Sequence, residues 1–429
     1  MFAFANFLLL ALFAAAAVDV VLAVRRQGGA KAALGWLWRT DHLLFGGWQA
    51  QTRLRLAEPV FAAGLALYEV SVVFCNSMLR ETWPWVQGTL SPLLDAAAFA
   101  CFGAKILLGT RYNWRSLGQA GALYFIVRWV HFNSHNIWFI GIAVAVLAAR
   151  DADLSRAMRA FFAAGLAALA AVLVLHFAGI AAPSPYSERV GAYRPAFGYG
   201  HPNTFGGLVL GLAAAWAMVR LKKIRWADIG VIAAAGVFLM AGPACRTAAL
   251  CALLLAALLA VHKLRPGLCA RGPVPALCAA LVPLEAAVSL ILPLFFVKIG
   301  PWNTDFGPAW LARLDGVLTN RLSLTWVAYR MYDIKIAGQT LLDWPPLDNS
   351  FAYALYQFGP VLALLLAALY AAALYRCARA GQGAALCCLL ALLVYAFAEC
   401  QSFHLTTNPA ALLLWGAVYA QRPGTAAEP

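Results

Sequence analysis

Apolar residues run along this chain in long blocks, separated by short polar or glycine-rich stretches. A helix needs about 20 apolar residues to cross the hydrocarbon core of a bilayer. By that measure the blocks near 2–24, 58–79, 90–109, 117–132, 135–149, 160–181, 203–219, 227–242, 246–262, 274–296, 350–374, 383–400 and 403–420 predict about 13 transmembrane helices. The expected fold is all-α, a polytopic integral membrane protein forming a single membrane domain over 1–429. Two stretches on one face are more than connections: a first outer loop, 182–202, and a large extracytoplasmic loop, 297–349. Loops as long as the second are usually functional. Its segment Ala309–Lys335 reads as short amphipathic helices lying on the membrane surface.

Composition agrees with the pattern. Of 429 residues, 63% are hydrophobic and 12% charged, whereas a soluble chain carries about a quarter charged residues. The net charge of +14 would suit nucleic acid, but no basic face exists outside short inter-helix loops. Arg53 and Arg55, Arg111 and Arg115, Arg150 with Arg156 and Arg159, Arg220 to Arg225, His262 to Arg271, and Arg376 to Arg379 alternate onto one side, which the positive-inside rule makes the cytoplasm. The first block lacks a basic region before it, and Arg25, Arg26 and Lys31 follow it, so an uncleaved first helix is expected in place of a signal peptide. The ten cysteines show no CxxC pair or zinc spacing and read as small buried hydrophobes.

The stretch Tyr193–Gly211, YRPAFGYGHPNTFGGLVLG, gathers an arginine, a histidine, an asparagine and several glycines at the mouth of an apolar block. Pro202 suits a first helical turn. Gly207 and Gly211 have the GxxxG spacing that lets a second membrane helix come close. A polar loop capping an ordinary helix is the simpler reading. Ionisable side chains inside apolar blocks are functional candidates, though pairing between helices is a common alternative. Asp19, Glu69, Asp95, Lys105, Arg128, Glu285 and Glu399 belong here. Arg246 opens a helix close in topology to His201. With Arg194 and Arg321 it could form a cationic pocket, because guanidinium forks match phosphate oxygens. Asp348 ends the large loop, either as a general base or as a helix N-cap. His201 could act as the base instead, or bond a loop carbonyl; His404 and Asn408 are weaker candidates.

Several motifs fail. GYGHPNTFGG places Asn203 where a dinucleotide fingerprint needs its third glycine, and no Walker A sequence occurs. Asp151 and Asp153 make a DxD in a loop too short for a nucleotide-binding domain. No acidic cluster for a divalent ion stands on the outer side, so neither metal nor cofactor is expected.

The set resembles the polytopic polymerases of bacterial O-antigen, capsule and exopolysaccharide (Wzy-type), which are related to O-antigen ligases. Three ordered pieces carry the resemblance: Arg194 to Asn203; Ala244-Cys245-Arg246-Thr247, with cysteine where that family has serine; and Asn320-Arg321, with asparagine for glycine, followed by Asp348-Asn349 up to Gly359. Glu399 and Asn408-Pro409 are also familiar from such proteins. The resemblance covers about 185–410. It implies a metal-independent glycosyltransferase of the bacterial cell membrane, with its active site on the extracytoplasmic side. A growing glycan would pass from undecaprenyl pyrophosphate to a lipid-linked repeat unit. Asp348, His201 and Arg246 would be catalytic, and Arg194, Arg321, Asn203, Asn349, Tyr199 and Glu399 would bind substrate. Its partners would be the undecaprenyl-pyrophosphate-linked oligosaccharide and the lipid bilayer, with a flippase and a chain-length regulator as candidates and no nucleic acid. Rival readings are a ligase-like glycan transferase, a transporter or flippase of lipid-linked oligosaccharide, and a non-catalytic envelope component.

Overall fold

The computed structural model describes residues 2–136, 138–185, 188–189, 192–221, 223–298, 304–306, 308–342 and 346–419. The chain is mostly helical, with three two-stranded ribbons of two or three residues per strand among the described residues. Among the described residues, seven helices are long and apolar enough to cross a membrane: α1 (Ala50–Cys75), α2 (Val86–Leu108), α3 (Leu154–Phe177), α4 (Pro202–Val219), α5 (Arg246–Leu264), α6 (Val274–Phe295) and α7 (Ser350–Arg379). Four shorter apolar helices, Phe139–Ala148, Trp226–Ala241, Gly383–Ala398 and Pro409–Val418, join them. Phe2–Gln27 and Trp114–Ser134 are helical over two further apolar blocks without joining the seven. Several expected spans are therefore shorter than a full crossing. The last departs furthest: the block 403–420 is broken, with a 3-10 turn at Cys400–Phe403 and a second at Pro409–Leu414.

In lipid no water drives helices together, so close packing of small side chains does much of the work. A β-carbon on Gly64 would meet the Phe102 ring at 2.9 Å, and one on Gly236 would meet Leu253 at the same distance. α1 packs on α2 and α3, α3 on α4, α5 on Trp226–Ala241 and Gly383–Ala398, and α6 on α7. The outward faces stay apolar, with Leu93, Val174, Val231, Leu250, Leu277 and Leu364 exposed. A helix apolar on all sides belongs in hydrocarbon.

The two ends of the bundle differ. At one, His42–Leu43 pairs with Arg111–Tyr112, and Lys105 donates to the carbonyls of Gly109 and Arg150. Arg150 bonds Asp41 there, its guanidinium against the rings of Tyr112 and Tyr419. Asp19 pairs with His42 at 3.0 Å. Pairing of Asp19 and Lys105 is thus structural.

The other end gathers 76–85, 178–185, 192–201, 242–245, 399–408 and residues 346–349 before α7. The expected loops 182–202 and 297–349 lie partly outside the described residues. Within the second, Ala309–Val317 and Arg321–Met331 are helices, and Thr319 and Asn320 turn between them with φ of 57° and 65°. Arg321, Leu322, Thr325 and Ala328 are buried, so this pair docks on the bundle as well as presenting an outer face. Gly338 and Gly359 interlock beneath it; a β-carbon on either would overlap the other's neighbouring backbone.

Candidate functional site

Arg194 organises the first part of the site. Its Nε donates to the Pro243 carbonyl at 3.3 Å, and its Nη2 to the Ala244 carbonyl at 3.2 Å and Asn203 Oδ1 at 3.1 Å. These bonds hold Ala244 at φ 52°, a left-handed conformation uncommon for residues other than glycine. Buried Cys245 donates to the Pro202 carbonyl at 2.9 Å, and Gly206 leaves room for it, since a β-carbon there would stand 2.8 Å from Cys245 Cβ. The start of α5 is thereby locked to the start of α4.

Asn203 carries the connection inward. Its Nδ2 donates to Glu399 Oε1 at 3.1 Å. Glu399 follows the last residue of Gly383–Ala398 and is extended, with φ −142°, rather than lying within a span. The segment after it reaches α4 because Gly207 and Gly211 lack side chains: a β-carbon on Gly207 would stand 2.7 Å from Gln401 Oε1, and one on Gly211 would overlap the Thr406 carbonyl. The GxxxG pair does admit close neighbours, but they are irregular backbone at Gly211 and the Gln401 and Tyr395 side chains at Gly207, not a crossing helix backbone.

From the far side, Arg321 donates through Nη2 to the same Glu399 Oε1 at 2.5 Å. It also donates to the carbonyls of Ala398 and Leu318 and to Thr319 Oγ1. Its Nε lies 3.7 Å from Asp348 Oδ2. The turn that delivers Arg321 needs a left-handed residue, and Asn320 supplies it, as asparagine does at lower cost than most. That accounts for asparagine where a glycine was the comparison. Asp315, fully buried, accepts from the backbone N–H groups of Leu322 and Ser323 and from the Ser323 hydroxyl at 2.6 Å, fixing the start of Arg321–Met331.

Arg194, Asn203, Glu399, Arg321 and Asp348 therefore form one continuous polar chain drawn from four separate stretches. Burial pushes the Glu399 carboxyl up to about 7, with the Arg321 guanidinium acting against the rise. Burial also raises the half-buried Asp348, and Arg321 again opposes it. Arg246 differs from the other two arginines. It is exposed, and no hydrogen bond or ion pair engages its side chain among the described residues. It stands in the first turn of α5, whose preceding residue Cys245 gives no side-chain cap. A cation beside uncapped N–H groups at a helix N-terminus makes a place for an anion.

Other expected residues take different places. His201 accepts the Asn203 N–H on Nδ1 at 3.0 Å, capping α4. The neutral ring must then carry its proton on Nε2, so the lone pair that a general base needs is already committed. Tyr199 is fully buried against Phe205, 6.0 Å between ring centroids. Asn349, not Asp348, caps α7, accepting from Phe351 and Ala352; its Nδ2 donates to Ser289 Oγ and the Phe397 carbonyl. Its amide is used up in structure, and Asp348 is released from the capping role. Asn408 is buried and donates to the Ser402 carbonyl. The sequence reading missed Asp315, Thr319 and the carbonyls of Pro243, Ala244 and Ala398; an acid six residues before Arg321, on the apolar side of its helix, was the one available signal.

Among the described residues, no three His, Cys, Asp or Glu side chains gather as a metal site. No family model, curated protein or solved structure matches the chain.

Proposed function

We propose that this chain is a polysaccharide polymerase, a glycosyltransferase of the bacterial cell membrane. One observation supports it above the rest: the polar chain from Arg194 through Asn203, Glu399 and Arg321 to Asp348 unites the separate motifs on which the resemblance rests. In this reading the chain crosses the bilayer about 13 times, as its apolar blocks suggest. The site end faces outward, because the opposite end carries most of the inter-helix lysine and arginine.

The donor is a glycan on undecaprenyl pyrophosphate, and the acceptor a single repeat unit on the same lipid. The acceptor hydroxyl oxygen attacks the anomeric carbon, its proton passes to the Asp348 carboxylate, and the sugar–pyrophosphate C–O bond breaks with both electrons leaving on the phosphate oxygen. Arg246 and the first N–H groups of α5 receive that growing negative charge. A preorganised cation acts more strongly there than water could. Arg194 and Arg321 are held by carbonyls and Glu399, so they position the loops that present Arg246 and Asp348. Tyr199, Asn349 and His201 serve the framework.

The test is elongation by purified protein in detergent, given lipid-linked repeat units and no sealed compartment. A ladder of longer products is expected; none with the wild-type chain sinks the reading and leaves transport. Arg246→Ala should keep the wild-type melting temperature, Asp348→Asn should remain folded in the membrane, and both should lose the ladder. Normal product lengths in both would remove these residues from the mechanism.

A further inference from the structure

A second cavity, its wall mostly apolar but carrying several polar side chains, lies beside the proposed site. A cavity of about 820 Å³ opens between α1, α2, the start of Phe139–Ala148 and residues 340–342. Its size falls within the usual range for small-molecule sites. Ser71, Gln87, Asp95, Asn136, Tyr353 and Gln357 supply polar groups to its wall, with the Tyr68 and Phe99 rings among them. Among the described residues neither lysine nor arginine lines it, which favours a neutral ligand over an anion. Asp95 is the one carboxylate among the described residues of the lining, half-exposed and beside the Ser71 hydroxyl. An ionisable residue in a membrane helix that faces a polar cavity marks a functional site by default.

The wall is built to hold its shape. Gln357 Nε2 donates to the Ser134 carbonyl at 3.0 Å, and its Oε1 accepts from the Leu341 N–H at 3.3 Å. Tyr353 accepts from Asn136 Nδ2 at 2.8 Å. Tyr353 also joins the cavity to the proposed catalytic centre, since it lies in the first turns of α7, just after Asp348 and Asn349. His135 at the rim is left-handed, with φ 52°.

We propose that this cavity binds the neutral, hydroxyl-rich part of the acceptor glycan, with Asp95 accepting from sugar hydroxyls. The Gln87 amide, the Asp95 carboxylate and the Tyr68 and Phe99 faces are groups that neutral sugars satisfy, hydroxyl by hydroxyl and ring by ring. The assignment rests on the transfer reading above, and it places the acceptor on the Asp348 side and the pyrophosphate on the Arg246 side.

The experiment measures binding of a panel of phosphate-free neutral oligosaccharides to the full-length protein in detergent, beside binding of inorganic pyrophosphate. Wild type should bind a member of the panel. Asp95→Asn should weaken that binding by about tenfold or more, the scale of a lost charge-assisted hydrogen bond. Ala96→Trp, which fills the cavity, should abolish it, and Gln87→Ala gives a gentler second probe of the same wall. Pyrophosphate binding should not change in any of them. Wild type binding no member of the panel, or equal sugar binding in Asp95→Asn and Ala96→Trp, overturns the cavity assignment. Sugar binding that obeys these variants in a protein that elongates nothing keeps the cavity and removes the polymerase.

Discussion

Glu399 Oε1 accepts from both Arg321 and Asn203, so a single buried oxygen couples the two halves of the site. Its proton affinity gives a signed prediction. The folded protein holds the Glu399 carboxyl up at about 7, because burial outweighs Arg321, whereas an unfolded chain titrates it at about 4.3. The folded state therefore binds the proton more tightly. Its share of stability is complete below about pH 4.3 and is lost as pH rises through about 7. Asp348, also raised, adds in the same direction. The melting temperature should fall over that window in the wild type. Glu399→Gln keeps an acceptor for Asn203 but cannot titrate, so its fall should be shallower; parallel wild-type and Gln profiles would refute the account. Sequence was informative at this scale about which residues matter and silent about what they bond. Arg194, Arg321 and Glu399 stand out as charges among apolar neighbours. Nothing in their spacing reveals that two of the arginines are consumed by carbonyls and a carboxylate while Arg246 stands exposed.

Among the elements, α4 and the segment 399–408 decide whether that oxygen reaches Asn203. Their approach is limited by Gly211, where a β-carbon would overlap the Thr406 carbonyl. Backbone cannot rotate aside as a flexible side chain can. Gly211→Ala should therefore cost about 1–3 kcal/mol, the usual penalty for overpacking, and should reduce elongation by moving Glu399 away from Asn203. Gly121 and Gly230 lie in helices with open space where a β-carbon would go. Alanine there should be neutral, or stabilising by up to about 1 kcal/mol through helix propensity. Thermal unfolding in detergent orders the variants, and Gly211→Ala as stable as Gly230→Ala would show that this contact limits nothing. The GxxxG spacing announced a close contact at 207 and 211 but not its partner. Apolar blocks likewise announced the helices better than their ends. The block 403–420 reads as continuous because only composition was counted, while Pro409 has no N–H to extend a helix and Asn408 turns into a buried bond with Ser402.

The molecule as a whole separates charge along the bundle. One end holds Arg53, Arg55, Arg111, Arg115, Arg156, Arg159, Arg220, Arg225, Arg265, Arg271, Arg376 and Arg379. The other also has cations, but several are engaged: Arg80 by Glu81, Arg194 and Arg321 by the site, and Arg330 over the Trp326 ring. If the positive-inside rule governs insertion, the end richer in inter-helix arginine marks the cytoplasm. This is a stronger requirement than it looks, because the proposed chemistry needs lipid-linked substrates to meet Arg246 on the far side. Two exposed positions test it: Glu81 at the site end and Gln382 at the other. With the parent chain as baseline for its native cysteines, Glu81→Cys should react with a membrane-impermeant thiol reagent in intact cells, and Gln382→Cys only after permeabilisation. Reaction of Gln382→Cys alone in intact cells would invert the bundle and put Asp348 in the cytoplasm, so the site would require a different, soluble substrate. Reaction of both in intact cells would break the alternation of the helices, and with it the shared end that brings residues 194, 246, 321, 348 and 399 together.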